Sequence, residues 1–206
     1  NRHSELASLN KLLTSQARRP SQLFLMYGRR RVGKTVLLRH WVRESNVTYT
    51  YWSAQRETGA LQRRKFYAEL LGIASDRAPV FASWGELWDS TADVLRDKKH
   101  IIVLAELPYA AESDPAMLSA LQHAWDKHFQ ESQVIFVLCG SHVRVMETLM
   151  TRQSPLFGRM TGQWHLEPLV FTHLQAFFPN WSAEERVAAY SIVGGIPAYY
   201  GSFVLE

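Results

Sequence analysis

The chain has 206 residues, 47% of them hydrophobic, a net charge of +4 and a single cysteine. That length and apolar content exclude a disordered chain and suit one domain, or one domain with a small appendage. The lone Cys139 excludes an internal disulfide or a cysteine-built zinc site and points to a reducing, cytoplasmic setting, and no stretch reaches the ~18 apolar residues of a membrane span.

The first thirteen residues are polar throughout and contain no signal-peptide core. Residues 23–27 form a short apolar run ending at Gly28, a buried strand by pattern. From Lys34 the pattern turns helical, with Leu37, Leu38, Trp41 and Val42 on one face. Residues 47–52, β-branched and aromatic, predict a second strand, and Phe66, Leu70 and Ile73 a helix. Ser83 and Glu86 have capping-box spacing ahead of a stripe containing Trp84, Leu87, Trp88 and Thr91. Residues 101–104 predict a third strand. Asp114-Pro115 opens a further helix, residues 134–138 a fourth strand, and residues 163–169 a fifth. A second capping box, Ser182 to Glu185, starts a helix that stops at Gly194-Gly195. Strands alternating with helices predict an α/β fold: a mostly parallel sheet with helices on both faces. Residues 1–170 read as the core and 171–206 as the start of a helical lid or subdomain.

Between the first strand and its helix stands Gly28-Arg29-Arg30-Arg31-Val32-Gly33-Lys34-Thr35, followed by Val36. This G-x-x-x-x-G-K-[ST] pattern, in its strand-to-helix setting, is a P-loop. The two glycines let successive N–H groups converge on an anion, and the helix N-terminus adds its dipole. Lys34 is placed for the β- and γ-phosphates and the Thr35 hydroxyl for Mg²⁺. Two readings stand for the three arginines: a phosphate contact, or solvated loop charges. ATP or ADP with Mg²⁺ is the implied ligand.

P-loop proteins that hydrolyse their nucleotide usually carry an apolar strand ending in Asp, and one class adds a Glu as general base. Here 101–104 is followed by Ala105-Glu106. Glu106 stands where the base belongs, and Ala105, where the Asp belongs, can ligate nothing. Either the metal-supporting carboxylate is missing, or the strand is structural and Glu106 is a solvated residue at its end. The first reading predicts weakened hydrolysis. The basic clusters at 29–31 and 63–65 leave open a nucleic-acid-associated module regulated by ATP. A nucleotide kinase finds no acceptor-binding arginine set. His123 and His128 are five apart, wrong for a shared metal face.

Six stretches, in order, resemble the archaeal-type ATPase family, relatives of the STAND and AAA-like P-loop ATPases. They are Arg2-His3-Ser4-Glu5-Leu6, the loop at 27–35, Ala105-Glu106-Leu107-Pro108-Tyr109, Gly140-Ser141 with Met146-Glu147, Ser154-Pro155-Leu156-Phe157-Gly158-Arg159, and Gly194-Gly195-Ile196-Pro197. His3 and Ala105 depart from the family pattern. The resemblance implies a sensor role for Ser141, a charge-neutralising role for Arg159 in cis or across an oligomer, and a contact of Pro197 with the adenine. It also implies a homo-oligomer or output-domain partner and a chain truncated relative to the family.

Overall fold

The structure, a computed structural model, describes residues 2–14 and 21–201. Residues 202–206, assigned to the lid segment above, lie outside the described residues. Among the described residues, five parallel strands form one sheet: β1 (Gln22–Tyr27), β2 (Thr48–Ser53), β3 (His100–Ala105), β4 (Val134–Gly140) and β5 (Gly162–His165), in the order β2-β3-β4-β1-β5. The α/β fold with a parallel sheet expected from the alternating pattern is thus present. The fifth strand is shorter than the predicted 163–169, because the chain leaves the sheet after Leu166 donates its N–H to the Tyr27 carbonyl at 2.7 Å.

The helices are α1 (His3–Thr14), α2 (Lys34–Glu44), α3 (Gly59–Leu71), α4 (Trp84–Val94), α5 (Leu107–Ser113), α6 (Ala116–Ala124), α7 (Val143–Thr148), α8 (Leu174–Phe177), α9 (Ala183–Val193) and α10 (Pro197–Tyr200). Strand alternation sorts the core. Leu23, Leu25, Trp52, Ile102, Leu104, Phe136 and Leu138 face α3, α4 and α6. Phe24, Met26, Tyr51, Ile101, Val103, Ala105, Val137 and Cys139 face α1 and α2. β1, β3 and β4 are buried along their whole length, which is why they read as unbroken apolar runs. Trp41, Trp84 and Trp88 are fully enclosed, as helix-stripe positions predict.

Local sequence chemistry sets the helix ends. Ser182 and Glu185 complete a reciprocal capping box on α9. At α4 only half of the predicted box forms. Ser83 accepts from the Glu86 N–H, but Glu86 reaches back to the Ala82 N–H instead of Ser83's. Asp114 accepts from the Ala116 N–H ahead of α6, which continues into a π-helical turn, Trp125–Phe129. Helices α1 and α5 escape the sequence reading. The first is largely polar, with Leu9 and Leu12 buried, and the second begins at an Xaa-Pro step that reads as a turn. Beyond residue 170, helices α8 to α10 and a 3-10 turn gather a separate small core of Leu169, Leu174, Phe178 and Tyr200.

No helix among the described residues is long and apolar enough to cross a membrane.

Candidate nucleotide site

β1 and β3 flank β4, so the segments leaving all three strands meet at the C-terminal edge of the sheet. There the phosphate loop curls between β1 and α2. Gly28 sits at φ 154° and a Cβ on it would strike the Leu166 carbonyl at 2.3 Å; Gly33 sits at φ 102°. Neither position admits a side chain without strain. Arg31 also has positive φ, 67°, a cost the loop carries as part of its curl.

Lys34 is buried, and its Nζ donates to the Gly28 and Arg29 carbonyls at 2.7 and 2.9 Å. Burial lowers its pKa, with Cys139 and Glu106 pulling it partway back. Its charge is therefore held inside the loop by backbone oxygens alone, a weaker hold than a triphosphate would offer. Thr35 and Val36 open α2 at the surface, and Gly33 has no side-chain cap, so the helix N-terminus is free for an anion.

Glu106 takes the left-handed conformation, φ 51°, between β3 and α5. This turn brings its carboxylate to the Ser141 hydroxyl, which donates to Oε2 at 2.9 Å from just past β4. Two residues picked separately from the sequence are thereby joined. Ala105 is buried against the α1–α2 face and offers no oxygen from its side chain. The Cys139 thiol, pushed up to about 12 chiefly by burial, is inert packing behind Lys34.

A cleft of about 750 Å³ opens over the loop. Its lining includes Arg30, Arg31, Val32, Gly33, Lys34, Thr35, Val36 and Glu106, together with Pro197 and Ala198 of α10 and Phe177 of α8. Pro197 approaches Gly33 so closely that a Cβ there would lie 4.0 Å from its Cγ, and the Arg31 guanidinium lies over the Tyr199 ring at 5.4 Å. Sequence reasoning missed the opposite wall: Arg2, His3, Leu6, Leu37, His40 and Leu169. Arg2, His3 and Leu6 fall in the first of the family-like stretches, but their spacing marks no cleft, and only the proximity of α1 and α2 makes them a wall. Arg2 anchors that wall. It pairs with Glu5 at 2.7 Å and donates to the carbonyls of Val32 at 3.2 Å and Glu167 at 2.7 Å.

Arg159 requires a correction. It precedes β5, and next to it the Thr161 N–H bonds the Leu23 carbonyl near the start of β1. This is the N-terminal edge of the sheet, roughly 16 Å of strand away from the phosphate loop. There Arg159 makes a two-pronged pair with Asp126, at 2.7 and 2.6 Å. A contact in cis with this cleft is excluded by that placement. The second basic cluster is also engaged internally. Arg63 binds Phe81 and Ala82 carbonyls and Asp114, Arg64 binds the carbonyls of Ala78 and Asp76, and Lys65 pairs with Glu57. His128 bonds Asp89, His123 is exposed, and no cluster of metal-ligating residues occurs among the described residues.

A glycine-rich loop at the head of a five-stranded parallel sheet, with Glu106 past β3 and bonded to Ser141 past β4, defines a P-loop ATPase-type nucleotide site. Comparison with known proteins carries this further: the chain belongs to the family described as an ATPase domain predominantly from Archaea, matched over residues 1–203. An uncharacterized protein of Methanocaldococcus jannaschii is 35% identical over 199 residues; the match takes in 96% of this chain but 42% of that protein, so the chain spans less than half of its relative's length. Among solved structures, a Walker-type ATPase of Pyrococcus abyssi superposes with a TM-score of 0.65 at 19% identity, covering 97% of this chain and 65% of the other. The Aeropyrum pernix ORC2 protein, in ADPNP–ADP complexes, gives 0.66 at 17% identity, with 91% and 52% covered. The ORC1 protein of the same organism, in complex with DNA, gives 0.64 at 21% identity, with 92% and 50% covered. These structural likenesses show the fold. Family membership implies a nucleotide and, as a rule, Mg²⁺.

Proposed function

We propose that this chain is a Mg·ATP-dependent switch module that binds nucleotide in the cleft and hydrolyses it poorly. The observation that carries the reading is the pairing of a complete phosphate loop and a Glu106–Ser141 dyad with Ala105 on the adjoining strand end. On binding, Lys34 would exchange the Gly28 and Arg29 carbonyls for β- and γ-phosphate oxygens. The free N–H groups at the start of α2 would take the remaining phosphate charge. Leu6, Val36, His40 and Phe177 offer an apolar and aromatic lining for the base, with Pro197 closing over it from α10.

The residues present fit Mg²⁺. That ion takes hard oxygens, often one or two from the protein, with waters and phosphates completing the shell. Thr35 Oγ1 would hold it, and when bound it would neutralise phosphate charge. Glu106, oriented by Ser141, would accept the proton of an attacking water. What the site lacks is a second carboxylate to fix the ion's water shell, and this is why turnover should be slow while binding persists.

The test is phosphate release with and without Mg²⁺ for the chain and for Ala105→Asp. Nucleotide binding with little turnover in the chain, and Mg²⁺-dependent turnover in Ala105→Asp, is the expected result. Brisk hydrolysis by the chain as it stands would defeat the reading. The alternative of a nucleic-acid-associated module loses its second basic cluster to internal bonds. Salt-sensitive DNA affinity would revive it.

A further inference from the structure

Tyr51 lies on β2, on the same face of the sheet as Val103, Ala105 and Cys139. Its register partner is Val103, two residues before Ala105, and side chains two apart share a face. The tyrosine is 9% exposed, and its hydroxyl is enclosed without a hydrogen-bond partner. An enclosed orphan of this kind is uncommon and destabilising, and asks for a reason.

The surroundings of the hydroxyl supply one. The Tyr51 hydroxyl lies within reach of both the Thr35 and the Arg39 side chains of α2 but closes a full hydrogen bond with neither, and the Arg39 guanidinium also lies over the ring at 4.7 Å. Thr35 and Arg39 are one helical turn apart on α2, so both project toward the β2–β3 side of the sheet. The Tyr51 phenol is a neutral hydroxyl, able both to donate and to accept.

A threonine hydroxyl that gives a lone pair to a cation becomes a stronger donor, and its proton then needs an acceptor. On this face position 105 is an alanine and can accept nothing from its side chain. Glu106 lies off the face and takes the Ser141 hydroxyl. Resting on the nucleotide reading above, we propose that Tyr51 is a positioning residue for the Mg²⁺ site: its hydroxyl oxygen accepts a hydrogen bond from the Thr35 hydroxyl and so aims Thr35 Oγ1 at the ion, standing in for the carboxylate that Ala105 does not provide. The orphaned hydroxyl is then a group waiting for a partner that turns toward it on loading.

Tyr51→Phe tests this with Mn²⁺ as the spectroscopic probe. ADP affinity is first measured in EDTA, then Mn²⁺ affinity of the ADP complex by electron paramagnetic resonance. The variant should bind ADP in EDTA like the parent, melt at the same or a higher temperature without ligand, and bind Mn²⁺ about tenfold more weakly. Adding Ala105→Asp to Tyr51→Phe should recover the Mn²⁺ affinity, because a carboxylate then accepts the hydrogen bond of the Thr35 hydroxyl. Unchanged Mn²⁺ affinity in Tyr51→Phe, or an equal loss of ADP affinity in EDTA, overturns the assignment. Failure of the parent to bind ADP in EDTA would instead bring down the nucleotide reading itself, and the assignment with it.

Discussion

At the N-terminal edge of the sheet, polar side chains find partners. His100 sits between the Thr48 and Thr50 hydroxyls, each at 2.9 Å, and Asp126 grips Arg159 through both oxygens. At the C-terminal edge, fifteen or so ångströms away along the strands, the hydrogen bonding is incomplete. Lys34 leans on two backbone carbonyls, Glu106 is held at φ 51°, and the Tyr51 hydroxyl bonds nothing. One edge closes its polar side chains on one another, and the other leaves the Tyr51 hydroxyl unbonded and Lys34 on backbone oxygens. Departures from local rules collect where a protein works.

The largest effect should come from the uncommitted edge. In an Ala105→Asp background, Glu106→Gln should bind ATP but lose about 10²- to 10⁴-fold of its turnover, the usual contribution of a general base. Single-turnover phosphate release measures it, and turnover equal to the Ala105→Asp parent would leave Glu106 another job. Lys34→Ala should weaken triphosphate binding by about 10- to 100-fold, as expected for one lost hydrogen bond between charged groups. Calorimetry with ATP in EDTA checks it, and unchanged affinity would remove the lysine from the site.

The satisfied edge predicts stability effects with nucleotide affinity left alone. Burial, aided by Lys98, pushes the His100 pKa down to about 4 from 6.5. Between those values the unfolded chain takes up a proton that the folded chain refuses. The contribution is therefore complete above pH 6.5, falls as pH drops through that value, and levels off below pH 4. By pH 5 the loss should amount to about 2 kcal/mol at most. Replacing His100 by Gln, which keeps polar atoms for the two threonines, should flatten that slope in urea titrations taken from pH 7 to pH 5. An unchanged slope would mean that other groups govern acid stability. The smallest effect is expected of Arg159→Ala. Its pair with Asp126 is partly solvent-exposed, so about 1 kcal/mol or less should be lost in denaturant melts. A large fall in nucleotide affinity in the monomer would contradict the placement of Arg159 at the far edge.

The same contrast explains what could be read from the residues alone. The strands announced themselves because β1, β3 and β4 are buried on both faces, and the loop because its glycines and Lys34 are constrained by backbone geometry. For Arg159 the likeness implied a role in cis or across an oligomer, and the sequence carries no sign that Asp126 holds it at the far edge, which removes the role in cis. The wall formed by His3, Leu6 and His40 was invisible, since a cleft made by two helices meeting has no spacing in either one. Tyr51 read as an ordinary aromatic strand residue. Only the three-dimensional record of which hydroxyls lack partners separates it from Trp52 beside it.

Arg2 joins three stretches of chain that are remote in sequence: the start of α1 through Glu5, the phosphate loop through the Val32 carbonyl, and the exit from β5 through the Glu167 carbonyl. A node of this kind makes local melting collective. Fraying of α1 releases the loop and the lead-in to α8 together, and an anion seated on the loop tightens all three. In hydrogen–deuterium exchange the amides of α1, of residues 29–33 and of residues 166–169 should open as one unit and slow together when ADP is added.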